Sequence, residues 1–221
     1  MRESSSEPRR GTVAGSRKVG RKPAFTASEV VSAAVAEGID RFTLSAVAGR
    51  LGVATPAIYR IFPSRDDLVI ACLDTAGATI AHPEPDTPWR DTLRLWAGET
   101  WQVCERFPGL SRLIYSYPTA PTRIQGVFRA YVENLAAQGK TPQQAMFALD
   151  LVGATVIASH WGVDAMRSVN EQGKTGLDTV RDVVGDADGP FQPQESWTTR
   201  QAMDSQVEVV LAGLEHLWPE S

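Results

Sequence analysis

Few residues in this chain are placed to make or break covalent bonds. The three histidines, His82, His160 and His216, stand apart, and none falls in an HExxH spacing. Cys72 and Cys104 have no CxxC partner and no second ligand nearby, which speaks against a zinc site or a disulfide framework. No GxGxxG, GxSxG or phosphate-loop pattern occurs. His160 and Asp164 lie one helical turn apart and could grip a polar ligand, but a metal needs further donors. Neither a metal nor another cofactor is expected, nor is an enzyme. Recognition chemistry is concentrated instead in one short segment, Thr55-Pro56-Ala57-Ile58-Tyr59-Arg60.

The elements around that segment explain how it would be presented. Between Leu44 and Phe62 the spacing fits two short helices that cross steeply. Such a crossing needs a small residue at the contact, a turn residue tolerant of positive φ, and apolar side chains pointing into the angle. Ala48 is the small residue and Gly52 the turn residue, with Val47, Leu51, Val53, Ile58 and Ile61 as the inward set. The outward face of the second helix is then Thr55, Pro56, Ala57, Tyr59 and Arg60. In a helix-turn-helix that helix lies in the major groove, its N-terminal residues at base edges. A protein-binding adaptor is the rival use of such a module, and the polar outward face argues against it.

Charge fits a nucleic-acid partner at this end, and equally a basic tail on an ordinary acidic enzyme. The chain of 221 residues has a formal charge of −4, but residues 1–70 carry +4 and residues 71–221 carry −8. Residues 1–23 are rich in Ser, Gly and Arg with few large apolar side chains, and are expected to form a disordered basic arm. They also lack the apolar stretch of a secretory signal. The longest uncharged apolar run, between Asp150 and Asp164, is shorter than the ~20 residues a bilayer span needs. A cytoplasmic protein without a membrane partner is the expectation.

The motif set Phe42-Thr43, Val47-Ala48, Gly52-Val53, Ile58-Tyr59, Phe62, Ser64-Arg65 and Leu68 resembles the N-terminal domain of TetR (tetracycline-repressor) family transcriptional regulators, over residues 24–75. The resemblance implies a three-helix DNA-binding domain over 24–70 with a linking fourth helix. It also implies a helical ligand-binding and dimerisation domain over 71–221, double-stranded operator DNA and a small-molecule effector as partners, and a homodimer. Carried over by position, Thr43 and Thr55 are helix N-caps whose hydroxyls reach phosphate, and Tyr59 packs against the DNA backbone. Arg65 stands where lysine is usual and would meet phosphate. Ser45, Pro56, Ala57 and Arg60 face the groove, with Arg60 suited to guanine O6 and N7. Ile61 replaces a commonly polar residue, which removes one backbone contact.

Helical signals extend to the C-terminus, and the fold class is all-α. Thr26 and Glu29 form a capping box flanked by Phe25 and Val30. Further helices are expected from Thr43, from Thr55 (as N-cap, with Pro56 first in the helix), and from Ser64 to about Ile80. After the breaker-rich stretch 82–88, helices are expected to Phe107, over 110–116 and over 121–138. Others follow from Thr141 to about Asn170 and over 198–218, with a short one near 176–184. Ala154, Ala158 and Gly162 recur every fourth residue on a helix that is apolar nearly all round, so it needs a partner beyond its own domain. Together with Val207, Leu211 and Leu214 of the last helix they are expected to form a four-helix dimer interface. The effector pocket implied by the resemblance is assigned to large side chains, Trp96, Trp101, Tyr131, Phe147 and Trp161.

Overall fold

The computed structural model describes residues 25–185, 189–216 and 218. Among them ten α-helices and two 3₁₀ turns occur and no strand, only an isolated bridge between Val169 and Thr175. The arm over residues 1–23 lies outside the described residues.

Four helices make the N-terminal module. Helix α1 (Ala27–Glu37) starts at the Thr26/Glu29 capping box and buries Val30, Val31, Ala33 and Ala34. Helix α2 (Leu44–Arg50) is capped by the Thr43 hydroxyl, which accepts the Ala46 N–H at 3.1 Å. Helix α3 (Thr55–Tyr59) begins one residue earlier than expected: Ala54 is its N-cap, Thr55 its first residue and Pro56 its second, and no side chain caps it. Proline is as harmless there as one place earlier, because the first N–H groups of a helix have no intrahelical partner. Helix α4 (Arg65–Gly77) opens with a capping box between Ser64 and Asp67.

The C-terminal module is built around α8 (Pro142–Arg167), which packs on α5 (Trp89–Arg106), α6 (Leu110–Ser116), α7 (Gln125–Ala137), α9 (Gly176–Val184) and α10 (Gln201–His216). One expected helix is subdivided, with residues 120–124 forming a 3₁₀ turn before α7. A second 3₁₀ turn over 195–198 precedes α10, which starts at Gln201 rather than at 198. Along α5 and its C-cap, Leu93, Trp96, Thr100, Cys104 and Phe107 recur at helical spacing as one stripe and are all buried. At 26 residues α8 is long and apolar enough, by length and composition, to cross a membrane. The run between Asp150 and Asp164 is only its uncharged middle part. In the fold α8 is a core helix, with Ala145, Leu149, Val152, Val156 and Val163 buried against its neighbours.

A candidate DNA-reading face and a ligand cavity

The helix-turn-helix has the geometry its spacing implies. Ala48 is buried at the crossing, the Val53 N–H donates to its carbonyl at 3.0 Å, and Gly52 turns the chain at φ +66°. Val47 and Ile58 are fully buried, while Leu51, Val53 and Ile61 pack on the core from its edge. Thr43, Ser45, Thr55, Tyr59 and Arg65 line one open groove, and Pro56, Ala57 and Arg60 flank it on or beside α3. Tyr59 is half exposed. Because Ala54 caps α3, the Thr55 hydroxyl is not consumed by a cap bond.

The arginines of this module divide by what they already hold. Arg41 donates to the Glu37 carbonyl, and Arg50 pairs with the Glu37 carboxylate at 3.4 Å. Arg65 is turned inward, donating to the Phe42 and Asp40 carbonyls at 3.1 and 2.8 Å with its guanidinium over the Phe42 ring. Its first role is thus to pin α4 to the α1–α2 loop, though it still borders the groove. Arg60, at the C-cap of α3, is exposed and holds no partner among the described residues.

Two joints fasten this module to the next. At the first, the Ile39 N–H donates to the Pro108 carbonyl at 2.9 Å, and Arg112 of α6 bridges Asp40 at 3.5 Å to Asp164 of α8 at 2.7 Å. At the second, Arg123 grips both carboxylate oxygens of Asp74, tying the 120–124 turn to α4. The sequence pair His160 and Asp164 belongs to the first joint. His160 is buried, its Nδ1 3.3 Å from the Ser111 hydroxyl and its Nε2 3.7 Å from Glu105, which in turn pairs with Arg167. Among the described residues no three His, Cys, Asp or Glu side chains converge on a point that could hold a metal.

Burial holds the His160 pKa below its ordinary value, against the opposing pull of Glu105 and Asp164. The unfolded chain therefore binds more protons than the folded one as pH falls through about 6.5, and stability drops on the acid side. Tm is expected to decline between pH 7.5 and 5.5. His160→Gln, measured by calorimetry over the same range, is expected to flatten part of that slope. Burial also pushes the Cys72 and Cys104 thiols up to about 12, which leaves both unreactive near neutrality.

A cavity of about 260 Å³ lies between α4, α5, α6, the 120–124 turn, α7 and α8. Of the five aromatic residues assigned to the pocket from sequence, only Trp96 lines it. Trp101 is core, edge-on to His160 at 4.9 Å. Tyr131 is fully buried behind the wall, edge-on to Trp96, with its hydroxyl donating to the Ala81 carbonyl. Phe147 and Trp161 are nearly half exposed on the outside of α8. The walls are mainly aliphatic, from Leu73, Val103, Leu110, Ile114, Leu149 and their neighbours. What the sequence did show, unrecognised, was Thr100: a polar residue in the middle of the otherwise apolar α5 stripe.

The outer faces of α8 and α10 also divide differently from expectation. Ala154, Ala158 and Gly162 are exposed, in line with Phe147 and Leu151. Val207, Leu211 and Leu214 are buried inside the subunit, where α10 packs on α8 and α5. That is a correction with a simple cause, since the larger apolar stripe of α10 covers more core and its other face is left outward. The outward face carries Ser205, Gln206, Val209, Ala212 and Gly213, and a shallow groove between Ala158 of α8 and Val209 of α10 runs along it.

Comparison with known proteins agrees with this architecture. Residues 26–72 match the family of bacterial regulatory proteins, tetR family. A curated relative, the HTH-type transcriptional repressor DrrR1 of Streptomyces coeruleorubidus, is 29% identical over 147 residues, covering 63% of this chain. The chain spans about half (54%) of that relative's length. Among solved structures, ActR of Streptomyces coelicolor in complex with actinorhodin superposes with a TM-score of 0.66 at 19% identity, over 86% of this chain and 97% of that one. TetR from Acinetobacter baumannii AYE superposes with a TM-score of 0.64 at 21% identity, over 89% of this chain and 100% of the other. The helix-turn-helix over residues 26–72 thus matches the tetR family in sequence, and the described fold superposes on those of ActR and TetR.

Proposed function

We propose that the protein is a cytoplasmic transcriptional repressor that binds a pseudo-palindromic operator as a homodimer and leaves it when a small molecule fills the cavity. Residues 24–70 would read DNA, and residues 71–221 would bind the effector and dimerise. The observation that carries this reading is α4. Its first residue is pinned to the helix-turn-helix through Arg65, while Leu73, Ala76 and Gly77 near its end line the cavity. A ligand that moves the cavity wall therefore moves the support of α3. Helix α6 offers a parallel route, since Leu110 and Ile114 line the cavity and Arg112 holds Asp40. In a dimer, either movement would change the separation of two recognition helices from the roughly 34–36 Å that neighbouring half-sites demand. The dimer itself is assigned to the exposed small-residue face of α8 with the outward face of α10.

The test is selection of genomic fragments, followed by titration of the enriched site at several salt concentrations. Arg60→Ala is expected to weaken operator binding by about 5- to 150-fold, the span of one good base contact, and to relax specificity at one base pair. Weak, sequence-indifferent binding by the intact protein would overturn the regulator reading.

A further inference from the structure

The cavity walls specify a ligand chemistry more narrowly than the fold does. Among the described residues its lining contains no Lys, Arg or His, so none of them compensates a negative charge. The one ionisable acid, Asp150, is exposed and lies where the cavity reaches solvent, beside Tyr115, Met146 and Ala154. An anion entering there would pass a carboxylate and then lose its hydration with no counter-charge. Deeper in, polar groups are scarce and mostly spoken for. The Trp96 indole N–H already donates to the Leu149 carbonyl at 2.9 Å.

Thr100 is the exception. The residue is 5% exposed, it lines the cavity, and its hydroxyl oxygen is buried without a hydrogen-bond partner among the described residues. A helical threonine usually returns its hydroxyl to the carbonyl four residues back, as Thr75 does to Ala71 and Thr155 to Leu151. Thr100 does not, although it sits in the middle of an 18-residue helix. Buried polar groups are paired as a rule, and a solitary hydroxyl on a residue that lines an apolar cavity is one rotamer change from pairing with whatever fills it.

Resting on the effector reading above, we propose that the cavity takes an apolar molecule without negative charge that bears one hydroxyl or carbonyl oxygen, which is anchored by hydrogen bonding to Thr100. Apolar burial holds its hydrocarbon body, and Thr100 selects the oxygenated compound over its plain hydrocarbon. The absence of any basic residue from the lining excludes its carboxylate analogue.

Three probes of one ring size separate these contributions: naphthalene, 1-naphthol and 1-naphthoate, titrated against the full chain by quenching of tryptophan fluorescence, since Trp96 is in the wall. Wild type is expected to bind 1-naphthol about 3- to 10-fold more tightly than naphthalene, the range of one neutral hydrogen bond, and 1-naphthoate most weakly. Thr100→Val, which keeps the shape and removes the hydroxyl, is expected to bring 1-naphthol down to naphthalene. Thr100→Ser keeps the hydroxyl and should keep the preference. The proposal is overturned if 1-naphthoate binds best, if the valine variant keeps the wild-type preference, or if no probe binds. Selective DNA binding, followed on the same preparations, fails or stands separately and judges the regulator reading rather than the ligand chemistry.

Discussion

Ala158→Glu is expected to convert the protein to a monomer and to lower operator affinity by more than about 100-fold. Ala158 is exposed in the subunit and sits in the middle of the small-residue face of α8, with Ala154 and Gly162 one turn to either side. A glutamate there points into solvent in the single chain and suits a helix, so the subunit fold should be untouched. In a dimer built on this face the same carboxylate would be buried against a partner helix and, near a two-fold axis, against its own copy. An unpaired buried charge costs several kcal/mol. A monomer then contacts one half-site, and specific binding that exceeds non-specific binding by about 10³–10⁷ depends on both. Sedimentation velocity and operator titration on the same sample check the two halves of the prediction. A variant that remains dimeric and keeps its affinity would move the interface away from α8 and α10.

That prediction also shows where the sequence was readable and where it was not. The helix-turn-helix could be read residue by residue because its constraints are local. A capping box, a small residue at a crossing and a glycine at φ +66° each act over a few positions. The one slip there, Thr55 as cap instead of Ala54, was a shift of one residue between two nearly equivalent ways to start a helix with proline. The C-terminal module is different, because an apolar residue on an amphipathic helix has the same signature whether its face meets the core, a cavity or a partner. Val207, Leu211 and Leu214 were recognised as one face, but periodicity has no sign, and that face points inward. The small residues of α8 were legible as exposed because a helix that is apolar all round must leave some of them outside. For the cavity, reading by size misled. Large aromatics such as Trp101 and Tyr131 fill space, whereas a cavity survives where side chains are too short to fill it, and its Leu, Val and Ala walls carry no mark in sequence.

Contacts between the modules were likewise invisible, and the second large effect is expected at one of them. Gly109→Ala should lower stability by about 2–4 kcal/mol, a Tm loss of roughly 5–15 °C for a chain of this size. Gly109 sits at φ +88°, which costs any residue with a Cβ about 1 kcal/mol or more. The added carbon would also stand 2.0 Å from the Asp40 carboxylate oxygen and 2.5 Å from its carbon, so Asp40 must leave. Its departure breaks the bridge to Arg112, whose Nε is already buried without a partner, beside the Ile39–Pro108 hydrogen bond that joins the same two segments. The damage is therefore to the joint between the modules rather than to the core of either. A double-mutant cycle isolates it. Asp40→Ala alone should cost less than Gly109→Ala, and the double variant should be more stable than the sum of the two losses, because the clash disappears once the carboxylate is gone. Additive losses would mean that Gly109 matters only for its backbone angle. Coupling, by contrast, would identify Asp40, Gly109 and Arg112 as one mechanical contact, and under the proposed function ligand-induced release of DNA is expected to weaken in the same order as Tm across the two single variants and the double.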